Sequence, residues 1–332
     1  MDRIKAAVLG DGGWGTALAI LLNSNAHKVT LWGAFADYVK QLNKLKVNSR
    51  FLPGVKIPKA IEITADLNIA LFEKDLIVLA VPSQYLRLVL KKIKGAADFH
   101  RPIFLSVTKG IELNTLKRMS EVIHQELGNV RLAVLSGPTI AHEVALNLPT
   151  TAVIAAHDEA LRKYLQAIFM TKRLRVYTNE DVVGVELGGS LKNVIAIACG
   201  ISDGLKFGSN TKAAILSRGL AEISRLGHAM GAKASTFSGI SGLGDLVTTC
   251  ISAYSRNRFV GEEIGKGKAL NKIIAHMQMV AEGVATAKAA FALSKKYKVD
   301  MPITKEVYQV LYKNKPAALA VEDLMGRKKK EE

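Results

Sequence analysis

The chain has little of what marks secreted, membrane-spanning or metal-dependent proteins. Its 332 residues include two cysteines, Cys199 and Cys250, in apolar or threonine-rich segments that give no disulfide framework; a reducing cytoplasm is the expected compartment. The longest apolar run, residues 194–201, is far short of the ~20 residues a membrane span needs. No secretory leader is expected either, because Met1-Asp2-Arg3-Ile4 leads directly into an apolar strand. Seven histidines show neither His-x-x-x-His nor His-Glu-x-x-His spacing, so no metal site is expected, and His142-Glu143 reads as an ordinary helix pair. A Gly-x-Ser-x-Gly elbow and a Walker phosphate loop are both missing. Acidic residues are in deficit: 29 Asp and Glu against 46 Lys and Arg leave a net charge of +17. Such a field suits nucleic acid, a membrane surface or phosphorylated small molecules. The basic residues are scattered, however, and their clusters, Lys91-Lys92 and Lys328-Lys329-Lys330, are short. Without the aromatic-interleaved basic motif of an RNA-binding sheet, nucleic acid is not the expected partner; the charge reads as solvated surface biased toward anionic ligands.

What is present begins at the N-terminus. The apolar strand Ala7-Val8-Leu9 runs into Gly10-Asp11-Gly12-Gly13-Trp14-Gly15, and an apolar helix pattern of Ala17, Leu18, Ile20, Leu21 and Leu22 follows at once. Strand, Gly-x-Gly-x-x-Gly and helix together form a dinucleotide-binding turn. Gly10 permits the tight turn, Gly12 lets backbone approach a pyrophosphate, Gly15 lets helix pack on strand, and the helix N-terminus offers free N–H groups to phosphate. Asp11 is a like charge near that pyrophosphate, and its side chain is expected to point away. Further strands are predicted at residues 29–32, 75–81, 103–107 and 132–135, with 151–155 and 174–177 at the far side. The alternation of strand and helix predicts a doubly wound parallel sheet, with ligands beyond the C-terminal strand ends. From about Val182 strand signals vanish and apolar residues recur at helical spacing, as in Ala213, Leu216, Leu220, Ile223 and Leu226, or Ala285, Ala289, Phe291 and Leu293. These stripes are expected to be core. The predicted architecture is α/β: an N-terminal doubly wound Rossmann-type domain over residues 1–181, then an all-α C-terminal domain over 182–332 that binds substrate and carries the catalytic groups. The charged tail after Gly326 is expected to fray.

Several polar residues interrupt the helical half. Gly188-Gly189-Ser190-Leu191-Lys192-Asn193 places a lysine and an asparagine in an apolar helix behind a glycine pair. The glycines imply close approach by another element. The lysine is either a general acid or base driven toward neutrality by its surroundings or one that snorkels to the surface. Asp245, after Ser241-Gly242-Leu243-Gly244, reads either as a site carboxylate or as a helix N-terminal acid stabilised by the dipole. Ser255-Arg256-Asn257-Arg258 suits a phosphate, since guanidinium binds two oxygens at once, or forms an exposed basic turn. Lys109 sits on a strand-end loop.

These segments together resemble the NAD(P)-dependent sn-glycerol-3-phosphate dehydrogenases of bacterial type, over essentially the whole length. The resemblance is carried by Gly10-Asp-Gly-Gly-Trp-Gly-Thr-Ala-Leu-Ala, Phe51-Leu-Pro-Gly, Val107-Thr-Lys-Gly, Leu135-Ser-Gly-Pro-Thr, Glu186-Leu-Gly-Gly, Leu191-Lys-Asn-Val-Ile-Ala-Ile, Ser202-Asp-Gly, Gly242-Leu-Gly-Asp-Leu and Ser255-Arg-Asn-Arg. It implies reversible hydride transfer between NAD(P)H and dihydroxyacetone phosphate, giving sn-glycerol 3-phosphate for phospholipid synthesis, in a cytoplasmic homodimer with no membrane span. By the resemblance Lys192 is the proton donor, with Asn193, Asp245 and Thr249 orienting lysine or substrate. A free lysine titrates near ~10.4; burial, Lys109 or Arg256 would lower that value and Asp245 would raise it. Ser255, Arg256 and Asn257 would grip the substrate phosphate, and Lys109, Gly137 and Thr139 would complete the substrate cleft. Gly10, Gly12, Gly13, Trp14 and Gly15, with Lys109, Ala141, Arg256, Val280 and Glu282, would lie along the cofactor. One position departs from common dinucleotide enzymes. After the second strand, Gly33-Ala34-Phe35 offers neither the acid that reads a ribose hydroxyl nor the arginine that reads a 2′-phosphate, although Asp37 is close; NAD and NADP, NADPH included, both stay open. Two alternatives remain beside this reading: a related hydroxyacid dehydrogenase, and a nucleotide sensor without catalysis.

Overall fold

The computed structural model describes residues 3–96 and 101–329; Met1, Asp2 and Lys330, named above, lie outside the described residues. The chain divides into two compact units, the first formed by Met1–Lys109 with Lys117–Glu186 and the second by Gly110–Leu116 with Leu187–Glu332.

The first unit is built on eight strands: β1 (Lys5–Leu9), β2 (Lys28–Trp32), β3 (Glu62–Thr64), β4 (Leu76–Leu79), β5 (Ile103–Ser106), β6 (Leu132–Ser136), β7 (Thr150–Ala155) and β8 (Leu174–Asn179). They line up in the order β3-β2-β1-β4-β5-β6-β7-β8. All neighbours pair in parallel except β6 and β7, where Val134 faces Ala155 in antiparallel register. Each strand expected from the sequence is present within a residue or two of its predicted ends. The three-residue β3 was not expected, because Glu62-Ile63-Thr64 buries one side chain and is too short to show a period. The central strands are buried on both faces because their side chains alternate between two cores. Ala6, Val8, Val29, Leu31, Leu76, Val78 and Leu105 enter one; Ala7, Leu9, Trp32, Ile77, Leu79 and Phe104 enter the other. Each buried Val, Leu or Ile contributes ~1.5–3 kcal/mol. Helices α1 (Gly13–Ser24), α2 (Ala36–Leu45), α3 (Leu67–Leu71), α4 (Leu86–Ile93), α5 (Met119–Leu127), α6 (Ala141–Ala145) and α7 (Glu159–Phe169) connect the strands.

Regular elements described in the second unit are all helical: α8 (Val182–Gly204, whose first turn belongs to the first unit), α9 (Ser209–Ala229), α10 (Ala234–Ser238), α11 (Asp245–Ile251), α12 (Arg256–Gly265), α13 (Leu270–Ala275), α14 (Glu282–Lys296), α15 (Pro302–Lys313) and α16 (Ala317–Met325). A π-helical turn, Ile240–Gly244, leads into α11. Helices α8 and α12 meet backbone to backbone. A methyl group on Gly200 would overlap the Arg258 carbonyl, one on Gly261 the Ile197 carbonyl, and one on Gly204 the Glu262 carbonyl; at Gly265 it would come within 2.5 Å of the Ile201 oxygen. Two glycines four residues apart on each helix place all four on the contact line. Asp203 then ties the crossing together, accepting from Arg258 Nε at 2.7 Å and pairing with Lys212 at 2.6 Å.

Two expectations need correction. The α9 stripe is not core throughout: Ala213 is exposed, and Leu216 and Leu220 are only partly buried. The buried face of α9 is Gly219, Glu222, Ile223, Leu226 and Gly227, with Ile195 lying against Gly219 and the Phe237 ring against Gly227. Phe291, likewise assigned to core, is partly exposed and instead stacks on Tyr308 with ring centroids 4.3 Å apart. The second correction concerns length. Counting uninterrupted apolar residues hid a 23-residue helix, α8, whose best window has mean hydropathy 1.5 and is long and apolar enough to cross a membrane. That window is 94% buried inside the structure, and its polar members Ser190, Lys192, Asn193 and Ser202 are buried with it, as in a core helix.

Candidate functional site

The glycine turn after β1 has the form phosphate binding requires. Gly10 has φ +123°, and a Cβ there would lie 2.7 Å from the Ala80 carbonyl oxygen; its N–H donates to Trp32 O at 2.9 Å. A Cβ on Gly15 would overlap the Gly10 carbonyl, so this glycine is what brings α1 down onto β1. Gly12 differs from both: nothing lies within 4 Å of where its Cβ would be. That open space lets a phosphate reach the backbone, and α1 carries no side-chain cap and no first-turn acid to compete for its N–H groups. The residues present therefore fit a dinucleotide pyrophosphate.

Gly13 lies under the Phe51 carbonyl, and Ala141 Cβ would be 3.8 Å from a Cβ there. Trp14 packs beside Ala17, Leu52, Val55 and Ala141, and its indole N–H is buried without a partner among the described residues. Asn48 was not anticipated. It is fully buried, and its Nδ2 donates to Asp11 O at 2.8 Å and Thr16 Oγ1 at 2.7 Å, while its Oδ1 accepts from Phe51 N–H at 3.0 Å and Tyr38 O–H at 2.7 Å. One amide thus clamps the glycine turn to α1 and to the Phe51-Leu-Pro-Gly segment. It stands 37 residues from Asp11 in an aperiodic polar stretch, so only a long-range contact could reveal it.

Beyond the C-terminal ends of β5 and β6, Lys109 Nζ donates to Gly137 O at 2.9 Å and reaches Thr139 Oγ1 at 3.4 Å. Gly137 has φ +132°, a conformation that favours glycine. Thr108 Oγ1 bonds Val81 O at 2.8 Å and Leu79 O at 3.2 Å, fixing the loop that carries Lys109. Glu186 of the Glu-Leu-Gly-Gly motif has a structural task. Its carboxylate accepts from Ser120 N–H at 2.8 Å, Ser120 O–H at 2.6 Å and Arg118 at 2.6 Å, holding the N-terminus of α5.

In the second unit Lys192 and Asp245 form a direct ion pair, with the lysine 6% and the aspartate 1% exposed. The snorkelling alternative for Lys192 is excluded. Their helices approach because a Cβ at Gly188 would lie 2.5 Å from the Ser241 carbonyl oxygen in the π-helical turn, the close approach that the glycine pair implied. The turn delivers Asp245 as the first residue of α11, and Thr249 Oγ1 bonds back to Asp245 O at 2.6 Å. Asn193, next to Lys192 in α8, belongs to an amide network. Asn257 Nδ2 donates to Asn193 Oδ1 at 2.9 Å, and Gly283 N–H donates to Asn257 Oδ1 at 2.9 Å. Ser255 caps α12, accepting from Arg258 N–H at 3.2 Å. Arg256 is exposed, donates to Val280 O at 2.9 Å and is attracted by Glu282 at the start of α14. Lys192 thus meets Asp245, Thr249 bonds the Asp245 backbone, and Asn193 meets Asn257, while Arg256, Val280 and Glu282 form a further group at the starts of α12 and α14.

Cys199 and Cys250 are free and buried; the neighbouring Cys199 thiol and burial hold Cys250 well above the usual thiol range, which leaves it a poor nucleophile. Glu222, also unanticipated, accepts from Ile303 N–H at 2.6 Å and from Thr304 N–H and O–H at 3.0 Å each; burial pushes its carboxyl up to about 7. It anchors the N-terminus of α15, away from the polar residues named for catalysis in sequence. Among the described residues no His, Cys, Asp and Glu group that could hold a metal was found.

Known proteins are similar to this chain along its length. Residues 5–162 match the family model for the NAD-dependent glycerol-3-phosphate dehydrogenase N-terminus, and residues 181–322 match that for its C-terminus. A glycerol-3-phosphate dehydrogenase [NAD(P)+] of Fusobacterium nucleatum is 49% identical over 98% of each chain. One of Prosthecochloris aestuarii is 50% identical, again over 98% of each. The crystal structure of glycerol-3-phosphate dehydrogenase from Coxiella burnetii superposes with a TM-score of 0.95 at 39% identity, covering 98% of this chain and 99% of that one. With a glycine turn open only at Gly12, a buried Lys192–Asp245 pair and both family models matched along its length, the chain belongs to the NAD-dependent glycerol-3-phosphate dehydrogenase family.

Proposed function

We propose that the protein interconverts dihydroxyacetone phosphate and sn-glycerol 3-phosphate with NAD(P)H, the first unit being its dinucleotide-binding domain and the second its substrate-binding domain. The observation that carries this reading is the buried Lys192–Asp245 pair. A nicotinamide cofactor held at the glycine turn would supply the hydride for the carbonyl carbon. Lys192 gives the carbonyl oxygen its proton in reduction and takes it back in oxidation, so the product alcohol is balanced by one hydride and one proton. Asp245 keeps the ammonium charged and aimed, since a carboxylate beside a lysine favours its protonated form. Asn193 and Thr249 orient substrate hydroxyls or the lysine.

Arg256 and Asn257 hold the substrate phosphate, with Ser255 fixing the start of their helix. The guanidinium has N–H groups left beyond the one given to Val280, and the Asn257 amide has one beyond that given to Asn193. In the first unit Lys109, Gly137 and Thr139 line the cleft at the strand ends, and Gly10, Gly12, Gly13, Trp14, Gly15 and Ala141 lie along the cofactor. The product feeds phospholipid synthesis in the cytoplasm, and the active form is a homodimer. Initial rates with dihydroxyacetone phosphate and with a panel of ketoacids test the assignment. Turnover confined to the phosphorylated ketone is expected; preference for a ketoacid overturns it.

A further inference from the structure

The end of β2 has no side chain at the position from which dinucleotide enzymes commonly read the adenosine ribose, because residue 33 is glycine. The structure fills that space from another element. A Cβ on Gly33 would overlap Asp11 Oδ2 and lie 2.7 Å from Asp11 Cγ and 2.8 Å from Val39 Cγ2. The Asp11 carboxyl therefore rests on the Cα of Gly33, in the place a β2-end side chain would start. Its backbone is held there by Asn48, which bonds Asp11 O at 2.8 Å. Asp11 Oδ2 is buried with no hydrogen-bond donor in reach among the described residues. A desolvated carboxylate oxygen without a donor is costly unless something completes it. The neighbouring acid cannot take this part, since Asp37 is fully exposed and 3.6 Å from Lys40.

We propose that Asp11 is the specificity-determining residue for the cofactor, accepting hydrogen bonds from the ribose hydroxyls of NADH and excluding the 2′-phosphate of NADPH. A ribose diol brings the donor that Oδ2 lacks. A 2′-phosphate brings a second anion and only acceptors at neutral pH. The ionisable groups facing Asp11 are Arg50, which attracts it, and Tyr38, whose hydroxyl is already committed to Asn48. Burial raises the Asp11 carboxyl above its ordinary value, against the opposing effects of a backbone N–H and Arg50. This inference rests on the dinucleotide reading of the glycine turn and deepens it.

Isothermal titration of the full chain with NADH and with NADPH, without substrate, tests it separately from turnover. The unaltered protein should bind NADH at least tenfold more tightly. Asp11→Asn, which keeps the shape and removes the charge, and Asp11→Ser should each bring the two dissociation constants within about threefold, by weakening NADH and strengthening NADPH. Thermal melts should show both variants folded. Equal or tighter binding of NADPH by the unaltered protein overturns the proposal, as does an unchanged ratio in folded Asp11→Asn and Asp11→Ser. Binding of neither dinucleotide overturns the dinucleotide reading as well, so the two failures are told apart.

Discussion

Gly12 in the sheet unit and four glycines of the helical unit serve opposite ends. In the sheet unit Gly12 keeps a space empty, with nothing within 4 Å, so that a ligand can come to the backbone. In the helical unit Gly200, Gly204, Gly261 and Gly265 leave no space at all, and α8 and α12 touch through carbonyl oxygens. The same residue type therefore marks an opening at Gly12 and a close crossing at these four. Only its neighbours distinguish the two uses. The ionic groups divide as well, though not by unit: Lys192 and Asp245 are buried against each other, whereas Glu186 with Arg118 and Glu222 with Thr304 hold helix ends.

Substitutions can break this comparison, starting with the largest effect. Lys192→Ala should lower turnover about a thousandfold, ~4 kcal/mol of barrier, while NADH affinity stays unchanged; near-normal turnover removes the lysine from the mechanism. Gly200→Val should destabilise the helical unit by about 3 kcal/mol through overpacking, seen as a lower thermal midpoint, and a wild-type midpoint would mean that the crossing yields without cost.

Glu222 gives a pH signature of comparable size. Its folded carboxyl titrates near about 7, so between the ordinary value of 4.5 and 7 the native state keeps a proton that the unfolded chain has lost. Stability from this group is complete below about 4.5 and is lost as pH rises through about 7, at most about 3 kcal/mol. Denaturation midpoints between pH 5 and pH 8 should fall for the unaltered protein and stay flatter in Glu222→Gln; parallel curves would place the pH dependence elsewhere.

Gly12→Ala is the mirror of Gly200→Val. Its stability should stay within about 0.5 kcal/mol, yet dinucleotide affinity should drop about thirtyfold, ~2 kcal/mol, because the methyl group stands where a phosphate would approach. Asn48→Ala should weaken binding of both dinucleotides about tenfold, ~1.4 kcal/mol, with turnover at saturation little altered. A selective loss of turnover would instead assign Asn48 to the chemistry.

The sheet was legible because its strands bury both faces and read as apolar runs between turn residues; Leu76–Leu79 and Ile103–Ser106 are continuous apolar stretches but for one terminal serine. β3 escaped, having three residues and one buried side chain. Lys192, Asn193 and Asp245 stood out because each is polar where its neighbours are apolar. Asn48, Asp11 with Gly33, and Glu222 with α15 were not legible as partners, since the contact that gives each its meaning spans 22 to 82 residues. Helical periodicity located α9 but misjudged its inner face, because Gly219 and Gly227 bury against side chains while carrying no apolar signal of their own.

The segment Gly110–Leu116 belongs with the second unit although residues 117–186 return to the first, and Ser190 Oγ donates to Gly110 O at 3.2 Å. During synthesis this segment leaves the ribosome about 70 residues before Leu187. At ~5–20 residues per second, it waits roughly 4–14 s with its partners unmade. The order of assembly is thereby set by the thread of the chain: the sheet can close around its own strands first, and the loop behind Lys109 acquires its anchor only when α8 has emerged.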